Sequence, residues 1–102
     1  MPSIEQLERL LAADPRDPFV LYGLAQEHAK RGDLPRAVEF YDRCLAADPK
    51  YLYAYFHKAK AQEAAGRAAE AGATLETGLA AARAAGDQHA QGEIQAYLDE
   101  LT

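Results

Sequence analysis

The sequence Leu11-Ala12-Ala13-Asp14-Pro15 occurs a second time, unchanged, as Leu45-Ala46-Ala47-Asp48-Pro49. We call the offset between these two copies, from position 11 to position 45, the repeat period. One further repeat period leads to Leu79-Ala80-Ala81-Ala82-Arg83, which lacks the Asp-Pro pair. Recurrence at such an offset is typical of a helical repeat, in which each unit packs on its neighbours. The pattern therefore predicts a short array of helical units that ends in the region of Arg83.

The composition is that of one soluble globular domain. The chain has 102 residues, of which 49% are hydrophobic and 26% charged, so it can bury a core. Its formal net charge of −5 repels phosphate backbones and anionic lipids, and neither nucleic acid nor a membrane is expected as a partner. Cys44 is the single cysteine, which excludes an intramolecular disulfide and favours a reducing compartment. We therefore expect a cytoplasmic protein.

Apolar residues recur at intervals of three and four, which is the spacing of one helix face. The inward stripe of the first helix is predicted to consist of Ile4, Leu7, Leu10 and Leu11. The pair Asp17-Pro18 is typical of a helix start, and Gly32 is typical of a helix end. Six helices are predicted, over about residues 3–13, 18–31, 34–48, 52–65, 67–85 and 88–101.

The run from Tyr51 to Tyr55 alternates tyrosine with aliphatic residues, a pattern that by itself is typical of a β-strand. The repeat argues against the strand. A shift of one repeat period places Ala25 on Ala59 and Gly32 on Gly66, so the second segment inherits the helix of the first. The last predicted helix then covers the open apolar edge of the array, as terminal repeats must.

Five positions of the first unit follow the pattern of a known repeat family. Small residues, an aromatic residue and a closing proline stand at Ala25, Ala37, Cys44, Tyr41 and Pro49. On these positions residues 18–51 resemble a tetratricopeptide repeat. The resemblance extends to a degenerate second repeat at 52–85, a half repeat at 3–17 and a capping helix at 87–101, within one domain of residues 1–102. It implies an all-α fold, an α-α superhelix of antiparallel helix pairs.

The second unit departs from the family pattern at three positions. Lys58 replaces the usual leucine, Gly78 the usual alanine and Arg83 the usual proline. The small residues of such a unit let two antiparallel helices approach closely, and the proline turns the chain into the next unit. These departures leave the tightness of the second unit open.

The resemblance implies that the chain binds a protein or peptide on a concave face formed by the first helix of each pair. The matching positions are Phe19, Tyr22, Gln26, Ala29 and Lys30 in the first unit and Lys50, Tyr53, Phe56, Lys60 and Glu63 in the second. Aromatic side chains with lysines between them suit an extended or helical peptide that carries apolar and acidic side chains. We expect Tyr22, Phe56 and Lys60 to be central. Alternatively, Tyr53 and Phe56 pack beneath the preceding helix or a second copy and leave no groove.

The sequence predicts no catalytic residue, metal ligand or cofactor site. His28, His57 and His89 have no spacing that would place two ligands on one helix face. Cys44 stands at a small-residue packing position, where a thiol behaves as a small hydrophobe. One subfamily clamps the tails of chaperones with lysines and asparagines. Tyr22 and Phe56 stand at two of those positions here, so chaperone-tail recognition is not expected.

A second functional class is self-association. The predicted helix 3–13 has no partner within its own pair, so it could pack against a second copy and form a homodimer or a longer helical array. A start at Met1 and a closing helix favour a complete small protein, although a fragment of a longer array would share both features. The sequence does not identify the partner.

Overall fold

The computed structural model of the chain describes residues 2–102, and within this range it has six α-helices and no strand. The helices are α1 (Ile4–Ala13), α2 (Pro18–Lys30), α3 (Leu34–Ala47), α4 (Leu52–Ala64), α5 (Ala68–Ala85) and α6 (Gln88–Leu101). This confirms the all-α prediction, including the choice of helix over strand after Tyr51. Met1, the first residue of the predicted domain, lies outside the described residues.

Short side-chain signals define the helix ends. The hydroxyl of Ser3 accepts a hydrogen bond from the backbone N–H of Gln6, and the Gln6 side chain accepts one from the N–H of Ser3. Asp17, Asp33 and Asp87 cap α2, α3 and α6 in a similar way. The glycines that follow α2, α4 and α5 have positive φ angles of 79°, 80° and 69°, a conformation that glycine adopts without steric cost; they are Gly32, Gly66 and Gly86.

The helices stack as antiparallel pairs, α2 against α3 and α4 against α5, with α1 on one end and α6 on the other. The stack is curved. Alternate helices α2, α4 and α6 contact one another in sequence, whereas within residues 2–102 α1 does not contact α3 and α3 does not contact α5. Helices on the inner side of a curved stack approach more closely than those on the outer side, so α2, α4 and α6 form the concave face.

The first pair packs as the small residues predict. Ala25, Ala37 and Cys44 are fully buried, and the ring of Tyr41 is 1% exposed in the same core. The predicted stripe of α1 is wrong at one position, since Leu10 is 53% exposed. Ile4 and Leu7 are buried, while Leu11 packs at the edge of the core. Fewer apolar residues of α1 therefore pack against another helix than the sequence predicts, because Leu10 stays uncovered.

Of the departures in the second pair, Gly78 lets α4 and α5 approach closely. A Cβ atom added to Gly78 would lie 2.6 Å from the Cβ of Tyr55, so no side chain fits between these two residues. The ring of Tyr55 occupies the freed space, and its hydroxyl donates a 2.8 Å hydrogen bond to the carbonyl of Pro49. Lys58 Nζ lies 2.7 Å from Asp42 Oδ1 and so links α4 to α3. Without a proline at Arg83, α5 continues for 18 residues.

Two equivalent positions join the helices of the two pairs by different means. In the first pair the imidazole of His28 stacks on the ring of Phe40, with ring centres 5.4 Å apart. One repeat period later these positions hold Gln62 and Thr74, both buried, and the Thr74 hydroxyl donates a 2.6 Å hydrogen bond to Gln62 Oε1. These equivalent positions therefore hold two stacked rings in the first pair and, in the second, two buried polar side chains that hydrogen-bond to each other.

Candidate functional site

A row of aromatic side chains crosses the concave face from α2 to α6. We call it the aromatic row; it consists of Tyr51, Tyr22, His57, Phe56 and Tyr97. Successive ring centres are 4.9, 5.9, 5.4 and 5.3 Å apart. These separations are typical of tilted and edge-to-face aromatic pairs. The row is continuous across three helices that are far apart in the sequence, and it forms the floor of the site.

Tyr22 and Phe56, two of the predicted central residues, belong to this row and are only half exposed. Tyr22 also contacts the buried ring of Tyr41, with ring centres 5.9 Å apart. Its burial raises the pKa of the Tyr22 hydroxyl, and Gln26 beside it acts in the opposite direction. Both rings therefore contribute one face to the core and leave the other face accessible.

The remaining predicted residues of α2 differ in exposure. Phe19 is 72% exposed, which is unusual for a phenylalanine. Lys30 is exposed and its Nζ lies 3.5 Å from Glu27 Oε1. Ala29 and Gln26 are half-buried, and Ala29 packs against the core of the first pair. Phe19 is thus the predicted site residue whose apolar surface is most available to another molecule.

A pocket of about 410 Å³ lies between α4 and α6 at the end of the aromatic row. Its wall includes Phe56, Lys60, Glu63, Glu93, Tyr97 and Glu100. The Lys60 Nζ lies 5.4 Å from the centre of the Phe56 ring, and the Tyr97 hydroxyl donates a 2.6 Å hydrogen bond to Glu63 Oε1. The structure thus brings together three residues predicted from the sequence with three residues of α6.

The charges of this pocket differ from those expected. Three carboxylates, those of Glu63, Glu93 and Glu100, line the pocket together with the ammonium group of Lys60. Their effect extends to neighbouring groups, because burial together with the Glu63 and Glu100 carboxylates raises the pKa of Tyr97. Loss of hydration, followed by Glu93 and Asp87, raises the pKa of Tyr53. An acidic ligand, which the lysines suggested, would meet a negative field here.

His57 lies within the aromatic row, between the rings of Tyr22 and Phe56. Its burial, reinforced by the positive charge of Lys60 and opposed by Glu93, lowers the pKa of the imidazole from its ordinary value of 6.5. The ring is therefore neutral at physiological pH and acts as an aromatic side chain. Lys50, by contrast, is exposed before α4, and its backbone N–H donates to Asp48 Oδ1 at 3.0 Å.

The sequence did not reveal five residues of the site, namely Tyr51, His57, Glu93, Tyr97 and Glu100. Tyr97 is buried on the apolar side of α6, and its hydroxyl also reaches Glu63. The signal that could have found it is the repeat itself, since residue 97 lies one repeat period after residue 63. Extending the array by one period would have placed α6 on the concave face.

Among residues 2–102 no group of three histidine, cysteine, aspartate or glutamate side chains converges in a way that could hold a metal ion. No helix in the same range is both long enough and apolar enough to cross a membrane. Cys44 is buried, and its burial together with Asp48 raises the pKa of the thiol to about 12. A thiol in that state is unreactive at neutral pH.

A family model of the tetratricopeptide repeat matches residues 28–92. The chain belongs to the tetratricopeptide repeat family. It is 38% identical over 98 residues to the TPR repeat-containing protein PA0015 of Pseudomonas aeruginosa, and the match covers 96% of this chain and 93% of that protein. The similarity therefore extends over nearly the whole length of both proteins.

Solved tetratricopeptide repeat structures share the fold. A tetratricopeptide repeat domain protein from Salinibacter ruber, solved by NMR, superposes with a TM-score of 0.80 at 35% identity and covers 86% of this chain and 89% of its own. The TPR2B domain of yeast Sti1, solved as a complex with pHsp70, superposes with a TM-score of 0.89 over 96% of this chain and 78% of its own. The Sti1 domain is 22% identical, so that likeness shows the fold alone.

Proposed function

We propose that this chain is a non-catalytic interaction module whose concave face binds a peptide or helix of a partner protein. The observation that carries the proposal is Phe19, which is 72% exposed on the first helix of the concave face. Phe19 precedes Tyr22 by three residues and so lies on the same side of α2. Tyr22 and Phe56 belong to the aromatic row, and Lys60 lies over Phe56 toward its far end. Exposed aromatic anchors of this kind dominate protein interfaces, because they bury a large apolar area at little entropic cost.

Membership of the tetratricopeptide repeat family supports the proposal that the ligand is a protein or peptide. The Sti1 domain with the same fold was solved with pHsp70, which shows that a stack of these helices can hold part of another protein. The aromatic row offers this chain a surface for apolar side chains across α2, α4 and α6. Half-buried rings are fixed by the core behind them, so they lose little freedom when a ligand covers the other face.

The test compares two substitutions that each remove one exposed apolar side chain. Phe19→Ala lies on the concave face, whereas Leu10→Ala lies on α1, outside it, at a residue that is 53% exposed. Each tagged variant and the native chain are used to enrich proteins from a lysate of the organism that encodes the chain, and recovery is measured by quantitative mass spectrometry. Circular dichroism at increasing temperature shows that both variants remain folded.

A partner that the native chain and Leu10→Ala recover equally, and that Phe19→Ala loses, establishes binding through the concave face. Equal recovery by all three proteins contradicts the proposal, because Phe19 would then be outside the interface. Tyr22 is unsuitable for this test. Its contacts with Tyr41 and Tyr51 make a truncation destabilising as well as disruptive to binding.

Self-association is the second candidate, and one observation favours it. Leu10 leaves an apolar patch on α1, the helix that covers one end of the stack and contacts α2 alone within residues 2–102. A second copy could cover this patch. Light scattering over a range of concentrations decides the matter, since the mass stays at 11.1 kDa for a monomer and doubles for a dimer. A dimer that Leu10→Ala dissociates would support this candidate.

A further inference from the structure

We infer that the pocket between α4 and α6 receives the basic side chain of an arginine or lysine from the partner segment. This rests on the proposed function, because it assigns the chemistry of one part of the same concave face. It reverses the acidic ligand that the lysines of the sequence suggest. The partner segment is then an apolar peptide or helix with a basic residue at the end that reaches α6.

The charges of the pocket favour a basic side chain. Glu63, Glu93 and Glu100 all line it, and Lys60 is the only lysine or arginine among its lining residues. The Glu93 carboxylate also lies 2.7 Å from His89 Nε2 on the next turn of α6, which adds positive charge only when that imidazole is protonated. The carboxylates outnumber the cations in either state. The net charge of −5 for the whole chain acts in the same direction.

The end of the aromatic row that lines the pocket also favours a basic side chain. The Lys60 ammonium group already lies over the face of Phe56, so this ring holds a cation of the chain itself. Tyr97 packs against Phe56 with ring centres 5.3 Å apart and is fixed by its hydrogen bond to Glu63. A planar guanidinium group of a ligand could lie against the half-buried Phe56 ring while its N–H groups reach the carboxylates at the rim. Lys60 is exposed and can move aside.

The size of the pocket agrees with a side chain rather than a metal ion. Its volume of about 410 Å³ exceeds what an ion needs, and the three carboxylates do not converge on one point within the described residues. A basic side chain requires no such convergence. It needs an apolar wall for its methylene groups and acceptors near its end, and this pocket offers both.

The experiment uses three synthetic peptides of identical length, acetyl-Ala-Leu-Xaa-Leu-Ala-amide, in which Xaa is arginine, its neutral isostere citrulline, or glutamate. Each is titrated into the full chain labelled with ¹⁵N, and the amide shifts are followed by NMR. We expect the arginine peptide to shift the amides around Phe56, Glu93 and Tyr97 and to bind at least about threefold more tightly than the citrulline peptide. The glutamate peptide is expected to bind more weakly than both.

Variants separate a specific pocket from general attraction. The double substitution Glu93→Gln and Glu100→Gln removes two carboxylates of the rim and should abolish the preference for arginine over citrulline. The double substitution Glu8→Gln and Glu76→Gln is the matched control, since both residues are exposed, on α1 and α5, and neither lines the pocket. It should leave that preference unchanged. An equal loss in both variants would attribute the preference to the overall charge and overturn the inference.

Failure of the inference can be told apart from failure of the proposed function. Equal binding of the three peptides overturns the basic pocket, as does the absence of any shift in the residues of α4 and α6. In both cases the proposed function still stands or falls with the Phe19→Ala enrichment, which does not depend on the charge of the ligand. A partner lost by Phe19→Ala, together with equal peptide binding, would leave a concave-face module without this specificity.

Discussion

Gly78 of α5 lies directly against Tyr55 of α4, and a substitution of this one residue tests how closely the two helices pack. Gly78→Ala would place a methyl group 2.6 Å from Tyr55 Cβ, an atom that cannot move without the backbone. Overpacking of this kind costs about 1 to 3 kcal/mol, which exceeds the gain of about 1 kcal/mol in helix propensity. We expect a lower free energy of unfolding in urea titrations.

Gly72→Ala is the matched control for that substitution. Gly72 lies in the same helix, and a Cβ added there meets no atom within 4 Å. The propensity gain then stands alone, and we expect stabilisation by about 0.5 to 1 kcal/mol. If Gly78→Ala stabilised the chain as Gly72→Ala does, the close contact with Tyr55 would be wrong. Tyr55→Leu would not relieve the clash, because leucine keeps the Cβ and Cγ atoms that lie nearest to the added methyl group.

His57 gives the molecule a defined dependence on pH. Because its pKa in the folded chain lies below 6.5, unfolding takes up a proton when the pH falls through that value. The stabilisation is therefore fully present above pH 6.5 and is lost as the pH falls toward the lower pKa of the folded state. His57→Phe keeps a ring between Tyr22 and Phe56 but cannot titrate.

The free energy of unfolding, measured by urea titration at about pH 7.5 and about pH 5.5, should fall further for the native chain than for His57→Phe. Carboxylates and the two other histidines change both proteins alike, so the difference between the two slopes reports His57. Identical slopes would contradict the burial of this imidazole. A steeper slope in the variant would contradict the direction of its pKa shift.

At the scale of helices, the repeat period made the elements predictable. Shifting the first unit onto the second correctly predicted the helix α4 where the run after Tyr51 resembles a strand, and the last helix spans the predicted residues 88–101. Leu10 was assigned wrongly because periodicity identifies an apolar face without showing whether another helix covers it. The tight fit of Gly78 also escaped prediction, since the compensating ring of Tyr55 lies on a different helix.

The Thr74–Gln62 hydrogen bond tests how α4 and α5 are joined. Thr74→Val removes the hydroxyl while preserving the shape of the side chain, which leaves Gln62 Oε1 buried without this donor. We expect a loss of about 1 to 3 kcal/mol in the free energy of unfolding, because an unpaired buried polar group bears its full desolvation penalty. Thermal and urea denaturation measure the change.

Thr77→Val is the control on the same helix. The Thr77 hydroxyl donates to the carbonyl of Ala73 on the exposed side of α5, where water can replace the bond. Its loss should change the stability by less than about 0.5 kcal/mol. Equal effects of the two substitutions would mean that the hydrogen bond between the helices contributes nothing beyond the change of side chain.

At the scale of the whole molecule, the candidate site depends on the curvature of the helix stack, which brings α2, α4 and α6 together on one face. The aromatic row crosses α2, α4 and α6, so no window of the sequence contains it. Family positions identified Phe19, Tyr22, Phe56 and Lys60 as candidates, yet they could not show that α6 would add Tyr97 and two carboxylates. The charge of the pocket could not be predicted for the same reason, because the lysines of α4 were visible in the sequence and the acidic residues that α6 places beside them were not.

A partner protein that lies on the concave face can be captured there by site-specific photo-cross-linking. The photoreactive residue p-benzoylphenylalanine is introduced at position 19 or 60 on that face, and at position 10 or 76 outside it, and living cells are irradiated. We expect one adduct of the same partner from positions 19 and 60 and none from positions 10 and 76. Adducts from position 10 alone, with the mass of two copies of the chain, would contradict it and establish self-association instead.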